Sequence, residues 1–147
     1  MKKKQIPIAI IGAGRIAEEY IKVLKLFKTN FKIKGIYSRT KLKSQKIAKK
    51  YQIPIVSESI DDLFKSTNAK GVIIAVSIVS TGKVLKKVMN YSWKSLVEKP
   101  IGLNFFQSSK LSKLAKKRKH FCYAALNRNF YSSVMNLKKI IDKKKKI

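Results

Sequence analysis

Short unbroken apolar runs alternate along the chain with longer stretches in which apolar residues recur every three or four positions. The run Ile6-Pro7-Ile8-Ala9-Ile10-Ile11 is apolar at both alternating sets of positions. That suits a strand of a parallel sheet covered on both faces. After Gly12-Ala13-Gly14 the period lengthens. Ile16, Tyr20, Val23, Leu24 and Phe27 share one face of a predicted helix, with Glu18, Lys22, Lys25 and Lys28 elsewhere, and Thr29-Asn30 ends it.

The alternation continues. A second strand is expected over Phe31–Tyr37, and Thr40 is a candidate cap for a helix reaching about residue 51. Residues 53–56 read as a short strand. Residues 59–65 read as a short helix, with Ser59 as N-cap and Asp61-Asp62 in the first turn, where acid suits the helix dipole. Residues 71–76 form the clearest buried strand, followed by a helix over about 80–91. Residues 94–97 are a strand that ends at Glu98-Lys99-Pro100, Asn104 caps a helix to about residue 117, and 121–126 form a last strand. This order predicts an α/β fold, a doubly wound parallel sheet with right-handed crossovers, as a single domain with a trailing helix over 131–146. Val134, Leu137 and Ile141 share a face of that helix, and no strand follows it. An element begun and not continued suggests truncation. The expected division is therefore 1–126 as the main domain and 127–147 as the start of a truncated second one.

The turn between the first strand and helix carries chemistry. In Gly12-Ala13-Gly14-Arg15-Ile16-Ala17, the first glycine permits a tight turn, and the second lets backbone approach a pyrophosphate. The small third residue, Ala17, lets helix and strand pack closely. The helix N-terminus favours an anion, and Arg15 adds a cation. A glycine turn in this setting points to a dinucleotide bound by a Rossmann fold. The end of the second strand selects between cofactors. An acidic residue there would hold a ribose 2′-hydroxyl, but the chain has Ser38-Arg39-Thr40 and no acid between Phe31 and Gln52. A guanidinium flanked by hydroxyls suits a 2′-phosphate, which favours NADP over NAD.

Charge modifies this picture little. Thirty-five Lys plus Arg against seven Asp plus Glu give a formal +28, a field that attracts polyanions. The lysines are spread along the chain, no basic arm is set apart, and no nucleic-acid-binding motif stands out. A lysine-rich solvated surface is the reading preferred over nucleic-acid binding. The one cysteine, Cys122, sits in an apolar stretch as a small core residue, and a reducing, cytoplasmic compartment fits. The start, Met1 to Lys4 followed by an apolar run, has the outline of a signal peptide, but Pro7, two glycines and Arg15 fit a buried strand better. No run approaches the ~18 apolar residues of a membrane span. There is no metal constellation.

With Glu98-Lys99-Pro100 in place, the chain resembles the glucose–fructose oxidoreductase / inositol dehydrogenase / rhizopine-catabolism (Gfo/Idh/MocA) family. The matching pieces are the Gly12 to Ala17 turn, the strand end Ala75-Val76-Ser77, the segment Val97-Glu98-Lys99-Pro100-Ile101-Gly102, and Leu126-Asn127-Arg128-Asn129-Phe130. The resemblance implies hydride transfer between nicotinamide and a sugar or cyclitol hydroxyl or carbonyl. It implies cofactor contacts from Gly12, Gly14, Arg15, Ile16, Ser38, Arg39, Thr40, Val76, Ser77, Glu98, Lys99 and Asn127. Lys99 would be catalytic, orienting and polarising the reacting hydroxyl, and its bond to Pro100 is often cis in the family. Glu98 would hold the lysine or contact ribose.

There are departures from the family pattern. Ile78 and Gly82 stand near where a proline and a histidine are usual, and Asn129 where a second arginine is common. In the family a second domain shapes the sugar pocket and brings the catalytic Asp and His, and the expected truncation would leave this chain without it. His120 alone is no substitute general base. Alternatives are a non-catalytic nucleotide-binding module, or a fragment that needs a partner domain. A sugar-like ligand is expected only if a second domain is supplied, and the pattern is compatible with a homo-oligomer.

Overall fold

A computed structural model describes residues 4–144. The sequence readings that concern residues 1–3, and the last turn expected at 145–146, lie outside the described residues. In chain order the elements are β1 (Ile6–Ile11), α1 (Arg15–Leu26), β2 (Phe31–Tyr37), α2 (Lys41–Tyr51), β3 (Ile55–Val56), α3 (Ile60–Thr67), β4 (Gly71–Ile74), α4 (Ile78–Val88), β5 (Lys94–Val97), α5 (Phe105–Lys117), β6 (Cys122–Ala124) and α6 (Ser132–Lys144). A short 3-10 turn, Asn127–Phe130, precedes α6.

The six strands form one sheet in the order β3-β2-β1-β4-β5-β6, and every pairing is parallel. Strand pleating divides the core in two. Ala9, Ile11, Val72, Ile74 and Val97 face α3, α4 and α5, meeting Leu63, Leu85, Val88 and Leu111. Ile8, Ile10, Ile33, Ile36 and Ile73 face α1 and α2, meeting Ala17, Ile21, Ile47 and Ala48. Both faces are covered, which is why β1 and β4 read as unbroken apolar runs rather than alternating ones. Among the described residues no helix is long and apolar enough to cross a membrane.

The caps follow local chemistry. The Ser59 hydroxyl accepts from the Asp62 N–H (3.0 Å), and the Asn104 side chain accepts from the Gln107 N–H (2.9 Å). Thr40 does occupy the N-cap of α2, but its side chain makes no cap bond. Its carbonyl instead accepts from the Lys43 N–H at 3.0 Å.

The buried face of α1 differs from the expected one. Ile16, Val23 and Phe27 are exposed, while Ala17 and Ile21 are fully buried and Leu24 partly so. Two apolar stripes overlap on this helix, and the second contains an alanine that carries little weight in a hydrophobic pattern. The sheet selects that stripe: Ala17 and Ile21 join the core cluster of Ile8, Ile10, Ile33 and Ile36, and a small residue at position 17 suits the close helix–strand packing that follows a glycine turn.

Candidate dinucleotide site

The register of the sheet places the carboxyl ends of its strands in one row. Ile11 lies opposite both Tyr37 and Ile74, Ile74 opposite Val97, and Val97 opposite Ala124. The ladder runs one residue beyond the strands. The Gly12 N–H donates to the Tyr37 carbonyl (2.8 Å), Ala75 to Ile11 (2.9 Å), Glu98 to Ile74 (2.9 Å) and Ala125 to Val97 (2.8 Å). The loops after β1, β2, β4, β5 and β6 therefore leave the sheet side by side. The strand order reverses between β1 and β4, the switch point outside which open α/β sheets place their ligands.

At that switch point the two turn glycines have different reasons to be glycine. Gly12 has φ of +123°, and a Cβ there would lie 2.1 Å from the Ala75 carbonyl oxygen. The backbone of the turn is pressed against the end of β4, and no side chain fits between. Gly14 has φ of −93° and is the N-cap of α1, with no side-chain cap bond. A Cβ on Gly14 would meet nothing within 4 Å. The N-terminal N–H groups of α1 thus open onto free space, flanked by exposed Arg15 and Ile16. A pyrophosphate fits that cradle: helix N–H donors, a favourable dipole end and no side chain in the way.

Beside the turn, on the β2 side, lies a cleft of about 440 Å³ lined by Ala13, Gly14, Arg15, Glu18, Lys43, Lys46, Ile47 and Lys50. The Glu18 carboxylate in its wall accepts from Lys50 Nζ and from the Tyr51 hydroxyl, each at 2.7 Å. Those two bonds, Lys50 first, hold the Glu18 carboxyl below its ordinary range. Arg15, Lys43 and Lys46 have no ion-pair partner among the described residues. Ser38, Arg39 and Thr40 form the loop from β2 into α2. The Ser38 hydroxyl donates to the Thr40 carbonyl (2.7 Å), and the Arg39 side chain is exposed.

On the other side of the switch point, Val76 is half-buried and Ser77 is the N-cap of α4, its hydroxyl donating to Ser80 Oγ (3.0 Å). Glu98 is half-buried and accepts a 2.6 Å hydrogen bond from the Tyr20 hydroxyl of α1. Burial, and next the adjacent carboxylate, push the Tyr20 phenol well above its ordinary value. Lys99 is exposed beyond Glu98, and the Lys99–Pro100 peptide is cis. Asn127 opens the 3-10 turn past β6 and is exposed. It is the outermost of the expected residues, three strand spacings from β1, or about 14 Å.

His120 lies elsewhere. It precedes β6 at the amino end of the sheet, where its Nε2 is 2.6 Å from Ser95 Oγ. Burial lowers its pKa below the ordinary value.

Residues that the sequence does not assign to the site include Tyr20, bonded to Glu98, and the cleft residues Glu18, Lys43, Lys46 and Lys50. In the sequence Tyr20 reads only as part of an apolar helix face. Lys43 and Lys46 follow Arg39 at helical spacing on α2, a signal available from the sequence once the helix start at Lys41 is fixed.

A parallel sheet ordered 3-2-1-4-5-6, with a glycine turn at its switch point and an open helix N-terminus beside it, defines a Rossmann domain of the dinucleotide-binding class. Residues 6–126 match the family model described as "Oxidoreductase family, NAD-binding Rossmann fold". The chain belongs to the Gfo/Idh/MocA oxidoreductase family and carries its NAD-binding Rossmann domain.

Solved structures share the fold. An oxidoreductase from Thermotoga maritima superposes with a TM-score of 0.87 at 23% identity, over 95% of this chain and 44% of that one. Apo scyllo-inositol dehydrogenase from Lactobacillus casei gives 0.85 at 20% identity, over 99% and 44%. A protein from Desulfitobacterium hafniense described as an NADPH-dependent oxidoreductase gives 0.84 at 23% identity, over 97% and 41%. The chain thus spans less than half the length of these relatives.

Proposed function

We propose that this chain is the cofactor-binding part of an NADP-dependent oxidoreductase that transfers hydride between nicotinamide and a sugar or cyclitol hydroxyl or carbonyl. The observation that carries the reading is the Tyr20–Glu98 hydrogen bond, which ties the helix of the glycine turn to the loop bearing Lys99. The β2 loop and the β5 loop stand three strand spacings apart, about 14 Å, the scale of an extended dinucleotide.

In this reading Gly12 and Gly14 shape the turn, and the N–H groups at Arg15 and Ile16 receive the pyrophosphate. Ser38, Arg39 and Thr40 receive the adenosine 2′-phosphate, with Lys43, from the cleft beside the glycine turn, as a further cation. Val76 and Ser77 border the middle of the cofactor, and Asn127 the far edge of the crevice. Glu98, held by Tyr20, fixes the start of the Lys99 loop. Lys99 is the catalytic residue, its ammonium donating a hydrogen bond to the reacting oxygen. When bound, the nicotinamide supplies or accepts the hydride. A cytoplasmic setting belongs to the same reading, supported by the single cysteine.

Calorimetry of the purified chain against NADPH and NADH tests the proposal. Binding of NADPH tighter than NADH is expected, and absence of binding to either refutes it.

A second reading is favoured by α6. Its principal packing is against the 3-10 turn before it, and Leu137, Ile140 and Ile141 are exposed. On this reading 127–147 begins a second unit whose apolar face another domain covers, and the nucleotide-binding module acts together with that domain. Turnover with NADPH and a sugar by the chain alone would exclude it.

A further inference from the structure

At the amino end of the sheet, a cleft of about 540 Å³ opens where α1 ends and β2 begins. It is remote from the glycine turn: β2 runs seven residues from this cleft to Tyr37, about 20 Å. Four of its lining residues are lysines, Lys25 and Lys28 from the end of α1 and Lys32 and Lys34 from β2, and none is acidic. Its other walls are apolar, with Leu24, Phe31, Ile33 and Pro54, or carry amides, Gln5 and Gln52.

Helix ends account for only part of this charge. The carboxyl ends of α1 and α2 lie near the cleft, and each carries about half a negative charge. Four ammonium groups exceed that by roughly three charges. The Gln5 side-chain amide also donates to the Lys28 carbonyl, occupying one of the acceptors there. None of the four lysines has an ion-pair partner among the described residues, although Lys22, Lys41, Lys50 and Lys87 do. Like charges gathered round one concavity repel, and a polyanion of matching charge relieves that repulsion. The volume is within the roughly 300–1,000 Å³ of small-molecule sites, and the apolar walls suit a flat ring.

We propose that this cleft is a second ligand site, separate from the dinucleotide crevice, which takes a nucleoside triphosphate with its phosphates among Lys25, Lys28, Lys32 and Lys34 and its base against Phe31 and Leu24. The triphosphate carries close to four negative charges, matching the four lysines. The apolar walls add affinity that inorganic triphosphate lacks.

The test is binding of ATP, followed with a fluorescent trinitrophenyl-ATP probe, in the presence of saturating NADPH. Binding that NADPH does not displace is expected, with inorganic triphosphate weaker than ATP. The variant K25Q/K28Q/K32Q/K34Q weakens binding at least about thirtyfold, and K65Q/K70Q/K110Q/K113Q, which removes equal charge elsewhere, changes it less than about twofold. Backbone amide shifts in the unmodified chain give a readout independent of how the variants fold, and they move at residues 25–34 rather than 12–16. Displacement by NADPH, equal loss in both quadruple variants, or shifts confined to 12–16 would overturn the proposal. So would tighter binding of a random DNA duplex to the same lysines, or no ATP binding at all.

Discussion

The Tyr20 hydroxyl donates to the Glu98 carboxylate at 2.6 Å across 78 residues of sequence, joining the first helix to the end of the fifth strand. Both groups are partly buried, and a hydrogen bond to a charged acceptor in that setting contributes about 1.5–3 kcal/mol. Tyr20→Phe leaves a half-buried carboxylate short of a donor. It should lower unfolding stability by about 1–2 kcal/mol in urea titrations and weaken NADPH binding severalfold, because the loop before Lys99 loses its tie. Glu98→Gln, which retains an acceptor, should cost less. Equal stability of Tyr20→Phe and the parent chain would show that the bond contributes nothing.

The two turn glycines should separate folding from binding. Gly12→Ala forces a left-handed φ on alanine and drives a Cβ to 2.1 Å from the Ala75 carbonyl oxygen, so a loss of more than about 3 kcal/mol is expected. Gly14→Ala meets nothing in the protein and has an ordinary φ. Its thermal midpoint should stay near that of the parent, while NADPH affinity falls by roughly tenfold because the methyl group enters the cradle. Thermal melts alongside calorimetry on both variants check the contrast.

Cofactor choice should reside in the β2 loop. Arg39→Ala and Lys43→Ala each remove a cation from around the proposed 2′-phosphate, and each should weaken NADPH by about tenfold while leaving NADH within about twofold. Parallel loss for both cofactors would place these side chains on a phosphate common to the two.

Much of this architecture was legible from apolar runs alone. β1, β2 and β5 fall where the runs place them, because short apolar runs bounded by turn residues mark where a strand begins and ends. Ser59 and Asn104 cap as their residue types dictate. The errors are as physical as the successes. The buried stripe of α1 depends on which face of the helix meets the sheet, a tertiary relationship that no helical period encodes. The strand expected over 53–56 shrinks to Ile55–Val56, since an edge strand has a partner on one side only. The α4 start moves forward to Ile78, because Ser77, not Ser80, is the residue whose carbonyl takes the first helical N–H groups. In the candidate site, the glycine turn and Glu98-Lys99 are readable as motifs. Tyr20 is not, because its role depends on a partner known only once β5 lies beside β4.

His120 gives the stability a pH dependence. Burial holds its imidazole below the ordinary value of 6.5, so an unfolded chain takes up a proton there at higher pH than the native protein. The contribution is complete above about 6.5. It declines as the pH falls from there toward the lowered native value, where the decline ends. His120→Gln removes the titration and can still bond to Ser95. Between pH 8 and 5.5 the difference in urea midpoint between parent and variant should shift against the parent, and a constant difference would rule the effect out.

The strand order has a consequence for synthesis on the ribosome. β1 emerges first and is central, β2 and then β3 add on one side, and β4, β5 and β6 add in turn on the other. Every new strand meets an edge that is already exposed, and none has to force apart two strands that have already paired. The sheet can therefore be assembled in the order it is translated, with each emerging edge covered by the next segment to leave the tunnel. For a chain dominated by parallel, non-local pairings, that sequence of events shortens the time during which an apolar edge is open to a neighbouring nascent chain.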